Sequence, residues 1–212
     1  MHIVRVAIEN FRNFSSIDID NLEPGLVLVG ENGSGKSNFL HALRLVLDPS
    51  LSETSRQLVE EDFWDGSENP LTGDEVKVVV ELTGFDEDAG VKSVLGEYLI
   101  STSPHRARLT FLYRPSPQLE GLPFSADGEY EVVIFGGTDE SRRLGRSEWR
   151  YISLSLLPAL RDAERALASQ RSPLRKIVKR SAVDPVLMSD AVEGIEKATK
   201  PLTESDQLRG GC

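Results

Sequence analysis

The stretch from Gly30 to Ser37 has the sequence Gly-Glu-Asn-Gly-Ser-Gly-Lys-Ser and matches the phosphate-binding loop pattern G-x-x-x-x-G-K-[ST] at every fixed position. Backbone amides must approach a polyphosphate closely in such a loop. A Cβ at Gly30, Gly33 or Gly35 would block that approach or the dihedral angles that it needs. The motif therefore predicts a cage for a triphosphate.

The residues on either side of the loop agree with the order of strand, loop and helix that the motif requires. Residues 25–29 (Gly-Leu-Val-Leu-Val) predict a short buried strand. From Ser37 to Leu47 apolar residues recur at helical spacing, so we expect a helix whose positive N-terminal end faces the phosphates. Lys36 would reach the β and γ phosphates, and the Ser37 hydroxyl would bind Mg²⁺. The residues predicted to contact nucleotide are Gly30, Asn32, Gly33, Ser34, Gly35, Lys36, Ser37 and Asn38.

Composition limits the classes of function open to this chain. It has 212 residues, a net charge of −10 and a single cysteine, Cys212. The acidic balance argues against a surface that is basic throughout, as in some DNA- or membrane-binding proteins, although basic residues concentrate between 140 and 180 and acidic ones between 48 and 90. One cysteine excludes an internal disulfide framework or a multi-cysteine zinc site. There is no signal peptide and no apolar run of about 18 residues, so we expect a cytoplasmic protein without a membrane span.

Outside the loop, alternating apolar residues predict an antiparallel sheet. The two N-terminal strands would be joined by a turn over residues 9–13, and the later strands are separated by turn-rich connections. The predicted strands are His2–Ile8, Phe14–Asp20, Glu75–Thr83, Ala107–Tyr113 and Glu129–Phe135.

Two acidic features resemble metal sites. Glu81 follows the apolar residues Val78–Val80, as in a Walker B strand, but Leu82 stands where a second acid would be, so we interpret Glu81 as a strand residue. The adjacent acids Glu60, Glu61 and Asp62 are more typical of a solvated loop than of a metal site.

The C-terminal part changes from strand to helix periodicity. Leu156, Leu160, Ala163 and Leu167 are spaced as on one face of a helix, and Ser-Pro and Asp-Pro pairs at 172–173 and 184–185 begin further helical stretches. The sequence thus predicts three parts: a region over 1–155 that contains the phosphate loop, a helical segment over 156–200 and a flexible tail over 201–212.

The opening residues Ile-Glu-Asn-Phe-Arg-Asn-Phe (8–14), followed by the phosphate loop and Asn38, resemble the start of RecF/SMC-type ABC ATPases, which have "I-x-N-F-R-x-F" before "G-x-N-G-x-G-K-S-[NT]". This resemblance implies an α/β fold, the first half of an ABC-type P-loop NTPase head with a flanking antiparallel sheet and C-terminal helices. In that family the arginine of the opening lies near the nucleotide. By resemblance alone, Arg12 and Asn13 join the nucleotide-binding residues, with exposed hairpin residues as the alternative.

Together with residues 61–63 (Glu-Asp-Phe) and 157–163 (Leu-Pro-Ala-Leu-Arg-Asp-Ala) leading to 172–174 (Ser-Pro-Leu), these motifs look most like the N-terminal part of an OLD-family (overcoming lysogenisation defect) ATPase. Members of that family join an ABC-type ATPase to a Toprim nuclease, and several act in defence against phage. The resemblance implies ATP and Mg²⁺ as cofactors, pairing of two ATPase heads, and DNA as a partner.

The motifs that complete ABC-type hydrolysis are missing from this sequence. We identify no Leu-Ser-Gly-Gly signature, no convincing Walker B pair and no Toprim pattern, so the catalytic residues are unknown and we expect the chain to bind ATP better than it hydrolyses it. Three functions remain open at this point. They are the ATPase part of an OLD-like endonuclease, a RecF/SMC-like repair ATPase without a nuclease, and a non-catalytic module that docks a partner protein.

Overall fold

A computed structural model describes residues 1–116, 129–145, 148–152 and 154 of the chain. Backbone contacts divide the chain into two units, Met1–Leu154 and Ser155–Cys212. The predicted helical segment (156–200) and tail (201–212) belong to the second unit and lie outside the described residues, so both remain predictions.

The first unit is built on an antiparallel sheet of six strands in the order β2-β1-β3-β5-β4, with β6 also paired to β5. Five of the strands were expected from the sequence, and their bounds differ from the expected ones by a few residues. The observed strands are β1 His2–Phe11, β2 Phe14–Ile19, β3 Val76–Thr83, β4 Leu99–Thr102, β5 His105–Pro115 and β6 Tyr130–Gly136.

Helix α1 (Lys36–Leu47) packs against one face of this sheet. Side chains alternate across a strand, so every second residue of β3 faces the helix. Val78 and Val80 of β3 lie in the same buried cluster as Leu45 and Val46 of α1. Burial of each such side chain stabilises the fold by about 1.5–3 kcal/mol. The prediction of an α/β P-loop fold with an antiparallel sheet is therefore confirmed.

Two short elements were not expected from the sequence. Strand β4 is only four residues long; it pairs with β5 and lies between β3 and β5 in the sequence, where we expected only turn-rich connections. Helix α2 (Ala89–Leu95) is capped by Asp88, whose carboxylate accepts hydrogen bonds from the amides of Gly90 and Val91. Both are too short for periodicity to identify them.

The prediction of a buried strand over residues 25–29 is wrong. The structure assigns no strand there, and Val27 and Val29 are 76% and 90% exposed. Apolar, β-branched residues favour a strand only where a neighbouring strand supplies hydrogen-bond partners. No strand among the described residues pairs with this segment.

Candidate functional site

The phosphate loop adopts the backbone conformation that its glycines permit. Gly33 and Gly35 have φ values of 84° and 94°, in the left-handed region that favours glycine. A Cβ on Gly30 would lie 2.6 Å from Ser34 Oγ, and one on Gly35 would lie 2.1 Å from Asn13 Nδ2. Glycine at these two positions therefore permits the close packing of the loop backbone against the side chains of Ser34 and Asn13.

Lys36 is the first residue of α1, and its ammonium group folds back over the loop. Nζ donates hydrogen bonds of 2.7 Å to the carbonyls of both Gly30 and Glu31. Ser37 follows with an exposed side chain, and Asn32, Gly33 and Ser34 are also exposed. These residues form one accessible surface at the N-terminal end of the helix.

That end of α1 is well suited to an anion. The N-cap residue is Gly35, and no side chain among the described residues caps it. The first amides of an α-helix have no acceptor within the helix, and the helix dipole makes that end positive. The exposed loop, the uncapped helix end and Lys36 together fit the phosphates of a nucleotide.

Arg12 and Asn13 lie beside this end of the helix. They form the turn between β1 and β2, where Arg12 has a φ of 50°. The Arg12 guanidinium donates to Asn38 Oδ1 at 2.9 Å, and Asn38 Nδ2 donates to Asn13 Oδ1 at 2.8 Å. The structure thus brings together the predicted residues from two distant parts of the sequence, while their role in binding nucleotide remains a prediction.

His41 lies one turn further along α1 and packs its ring edge-on to Phe11, with 5.8 Å between ring centroids. Burial and the nearby positive charge of Arg12 lower the pKa of His41 below its usual value. Both effects favour the neutral form of the imidazole.

Comparison with known families agrees with this geometry. The model of the AAA ATPase domain family matches residues 1–181, which is most of the chain. The chain belongs to the AAA ATPase domain family. Membership implies ATP as the ligand of the phosphate loop, usually with Mg²⁺.

Relatives of this ATPase domain include proteins of the RecF and SMC types. The DNA replication and repair protein RecF of Listeria welshimeri is 24% identical over 96% of the chain and 52% of RecF. Endonuclease GajA of Bacillus cereus is 30% identical over 45% of the chain and 16% of GajA. An SMC ATPase, solved in a study of ATP-driven dimerisation and DNA-stimulated activation, aligns with 87% of the chain at 19% identity and a TM-score of 0.47.

The chain is therefore an AAA ATPase domain with similarity to RecF, as the sequence resemblance implied, and the RecF/SMC-like and OLD assignments remain proposals. The chain spans about half the length of the RecF relatives that it matches. The activity and partners of the whole protein are therefore also proposals.

The structure excludes Glu81 as a Walker B acid of the ATPase domain. Val80 and Leu82 face α1, so Glu81 between them faces the opposite side of the sheet. There its carboxylate, 2% exposed, accepts hydrogen bonds from Arg5 at 2.8 Å and Arg108 at 2.9 Å. Arg5, Glu81 and Arg108 are direct neighbours across β1, β3 and β5. Glu81 is a buried ion-pair partner that links three strands, and its interpretation as a strand residue is confirmed.

Sequence reasoning missed Asp62 at the site. The acids at 60–62 were interpreted as solvated, and within the described residues no cluster of three or more potential metal ligands exists. Glu60 and Glu61 are indeed exposed, but Asp62 faces inward and forms an ion pair of 2.8 Å with Arg12. A local signal in the sequence is Phe63, an apolar residue directly after the acids, which pairs with Phe11 in an isolated β-bridge.

None of the helices in the described residues has the length and apolar character needed to cross a bilayer.

Proposed function

We propose that this chain binds MgATP at the phosphate loop, as the nucleotide-binding part of a RecF/SMC-like ATPase. The observation that carries the proposal is the N-terminal end of α1, which has no side-chain cap in the described part of the chain. Gly33 and the N-cap residue Gly35 have left-handed conformations there, and Lys36 is the first residue of the helix. Lys36 and the loop amides would hold the phosphates, and the Ser37 hydroxyl would serve as a Mg²⁺ ligand. When bound, Mg²⁺ neutralises charge on the β and γ phosphates.

The wider role that we propose is the ATPase part of an OLD-like DNA endonuclease in phage defence or DNA processing. Support comes from the motifs shared with that family and from the similarity to endonuclease GajA over 95 residues. Two copies would pair through their ATPase heads, and DNA would be the substrate. Part of the resemblance, the motif over residues 157–163, lies outside the described residues.

A second candidate is a RecF-like repair ATPase without a nuclease. The similarity to RecF extends over 96% of the chain, against 45% for GajA, and this larger coverage favours the second candidate. The sequence identity is lower for RecF, at 24% against 30%. Full-length protein separates the two, because a nuclease cleaves DNA in the presence of divalent metal and a repair ATPase leaves it intact. The same preparation tests for a DNA interface, since binding through phosphate contacts weakens steeply as salt increases.

The nucleotide site is tested by calorimetric titration of a slowly hydrolysed ATP analogue with Mg²⁺ into the wild type and Lys36→Ala. The ammonium group would make charged hydrogen bonds to phosphate, so we expect its removal to weaken binding about 10- to 100-fold. The melting temperature should change little, because the hydrogen bonds that Lys36 makes in this structure are to carbonyls of an exposed loop.

Lys92→Ala is the matched control. Lys92 is a half-exposed lysine of α2 whose ammonium group forms an ion pair with Asp86 at 3.5 Å, away from the phosphate loop. Its substitution should leave nucleotide affinity unchanged. Equal affinity of the wild type and Lys36→Ala, or no binding by the wild type, would contradict the proposed function.

A further inference from the structure

The segment Val59–Phe63 passes over the β1–β2 turn and holds Arg12 at two points. The amide of Arg12 donates a 2.9 Å hydrogen bond to the carbonyl of Asp62. Its guanidinium meets the carboxylate of the same residue, with Nε 2.9 Å and Nη2 2.8 Å from Oδ1. Phe11, which precedes Arg12, and Phe63, which follows Asp62, are joined by an antiparallel β-bridge. Asp62 therefore holds both the backbone and the side chain of Arg12.

Asp62 is itself held in place. Its amide donates to the carbonyl of Val59 at 2.9 Å, and its Oδ2 accepts from the amide of Val59 at 3.1 Å. The side chain is 14% exposed. The two acids before it, Glu60 and Glu61, are exposed. Of these three adjacent acids, only Asp62 is held against Arg12. The exposed acids Glu60 and Glu61 therefore offer control positions for substitutions at Asp62.

Arg12 needs such support, because its backbone has a left-handed φ of 50°, which disfavours a residue with a Cβ. Its long side chain also has many rotamers in solution. Here the guanidinium stacks on the Phe11 ring, 5.2 Å from its centroid, and contacts Asn38 at the start of α1. An arginine has five N–H donors, so these contacts leave some for a ligand, and its side chain is 30% exposed.

We propose that Asp62 is a positioning residue, which orders the Arg12 guanidinium for the phosphates of a nucleotide bound at the loop. The proposal rests on the proposed function and adds a residue to that site. An arginine that is ordered before the ligand arrives loses less conformational freedom on binding. Without the Asp62 carboxylate, the ligand would have to order Arg12 itself, and affinity would fall.

The test is a double-mutant cycle on the affinity for a slowly hydrolysed Mg²⁺–ATP analogue, using Arg12→Ala, Asp62→Asn and the double variant. We expect Asp62→Asn to weaken binding roughly 2- to 10-fold, the range for ordering one flexible side chain. In the Arg12→Ala background Asp62→Asn should have no further effect, because Asp62 acts through Arg12. Glu61→Gln removes the same charge one residue away and should bind as the wild type does.

A purely structural role for Asp62 would lower the melting temperature and leave affinity unchanged, or would lower affinity equally in both Arg12 backgrounds. Either result would overturn the proposal. Tighter binding by Asp62→Asn would also overturn it, since Asp62 would then compete with the nucleotide for Arg12.

If Asp62→Asn does not fold, Asp62→Ser serves in its place, because a hydroxyl can still accept the hydrogen bond from the amide of Val59. Lys36→Ala separates this proposal from the function on which it rests. Loss of binding in Lys36→Ala, together with wild-type affinity in the Asp62 variant, would refute the positioning role alone.

Discussion

The two ends of helix α1 differ in how their backbone groups are satisfied. At the N-terminal end, Gly35 has no side-chain cap among the described residues, and the loop before it is largely exposed. At the C-terminal end, each of the last four carbonyls accepts a hydrogen bond, the first from the helix's C-cap residue Asp48 and the other three from groups outside the helix. Those from Arg44 to Leu47 accept from the Asp48 amide, the Arg56 side chain, the Trp149 indole and the Leu154 amide, respectively.

Arg56 is central to the C-terminal end. It is 3% exposed and donates to the carbonyls of Leu45, Asp48 and Leu51. Trp149 stacks on its guanidinium, with 4.7 Å from Cζ to the ring centroid. Burial lowers the pKa of Arg56, but an arginine side chain stays protonated in proteins, so a positive charge lies at the negative end of the helix dipole.

This difference indicates a division of roles within one helix. The C-terminal end is held by protein groups and anchors α1 to the rest of the first unit. The N-terminal end has no side-chain cap among the described residues, which is the arrangement that the proposed nucleotide site requires. A binding site needs a rigid support if its geometry is to be maintained, and the satisfied end supplies it.

The largest effect should come from removing the anchor. Arg56→Met keeps much of the side-chain length but leaves three carbonyls without their donor, so we expect a loss of about 3–5 kcal/mol in the free energy of unfolding. Arg150 is an exposed arginine next to Trp149, so Arg150→Met should change the free energy of unfolding by less than about 0.5 kcal/mol. Urea unfolding of both variants measures the difference. Equal losses would remove the basis for calling this end an anchor.

A smaller effect is expected at the open end, where Gly33 and Gly35 form a matched pair. Both have left-handed φ values, so alanine at either should cost about 1 kcal/mol in the free energy of unfolding. A Cβ at Gly33 meets nothing within 4 Å, but at Gly35 it would displace the Asn13 side chain from its hydrogen bond with Asn38. Gly35→Ala should therefore cost about 1 kcal/mol more.

In an Asn13→Ala background the two alanine substitutions should cost the same, because the clash with Gly35→Ala is then absent. Thermal unfolding of Gly33→Ala and Gly35→Ala, each with and without Asn13→Ala, measures these costs. A difference between the glycines that persists without the Asn13 side chain would show that Asn13 is not its cause.

The smallest effect concerns acid stability at the anchored end. Burial alone would raise the pKa of Asp48, but hydrogen bonds from Ser50 and Arg44 outweigh it and hold the pKa below its usual value. A carboxyl with a lowered pKa in the folded state contributes stability above its unfolded pKa of about 3.9, and that contribution is lost as the pH falls through the folded value. Asp48→Asn should thus flatten the decline in unfolding free energy below about pH 4. Parallel profiles for the wild type and the variant would contradict this.

Local sequence was enough to predict much of the fold. Strands such as β3 and helix α1 follow patterns of apolar residues that any neighbouring surface would bury. Residues 25–29 have an equally apolar pattern, but no described strand pairs with them through backbone hydrogen bonds and no strand forms. A pattern states that a segment can be a strand, and only a neighbour with free backbone groups makes it one.

The sequence by itself determined the chemistry of the phosphate loop, because its glycine conformations, Lys36 and Ser37 depend on local backbone sterics and on residue type. Tertiary structure alone decided which distant groups meet at the two ends of α1. Arg12 and Asp62 are 50 residues apart, and Trp149 lies 103 residues from the carbonyl that it caps. Such pairs depend on strand register and packing across the whole unit, so no local pattern predicts them.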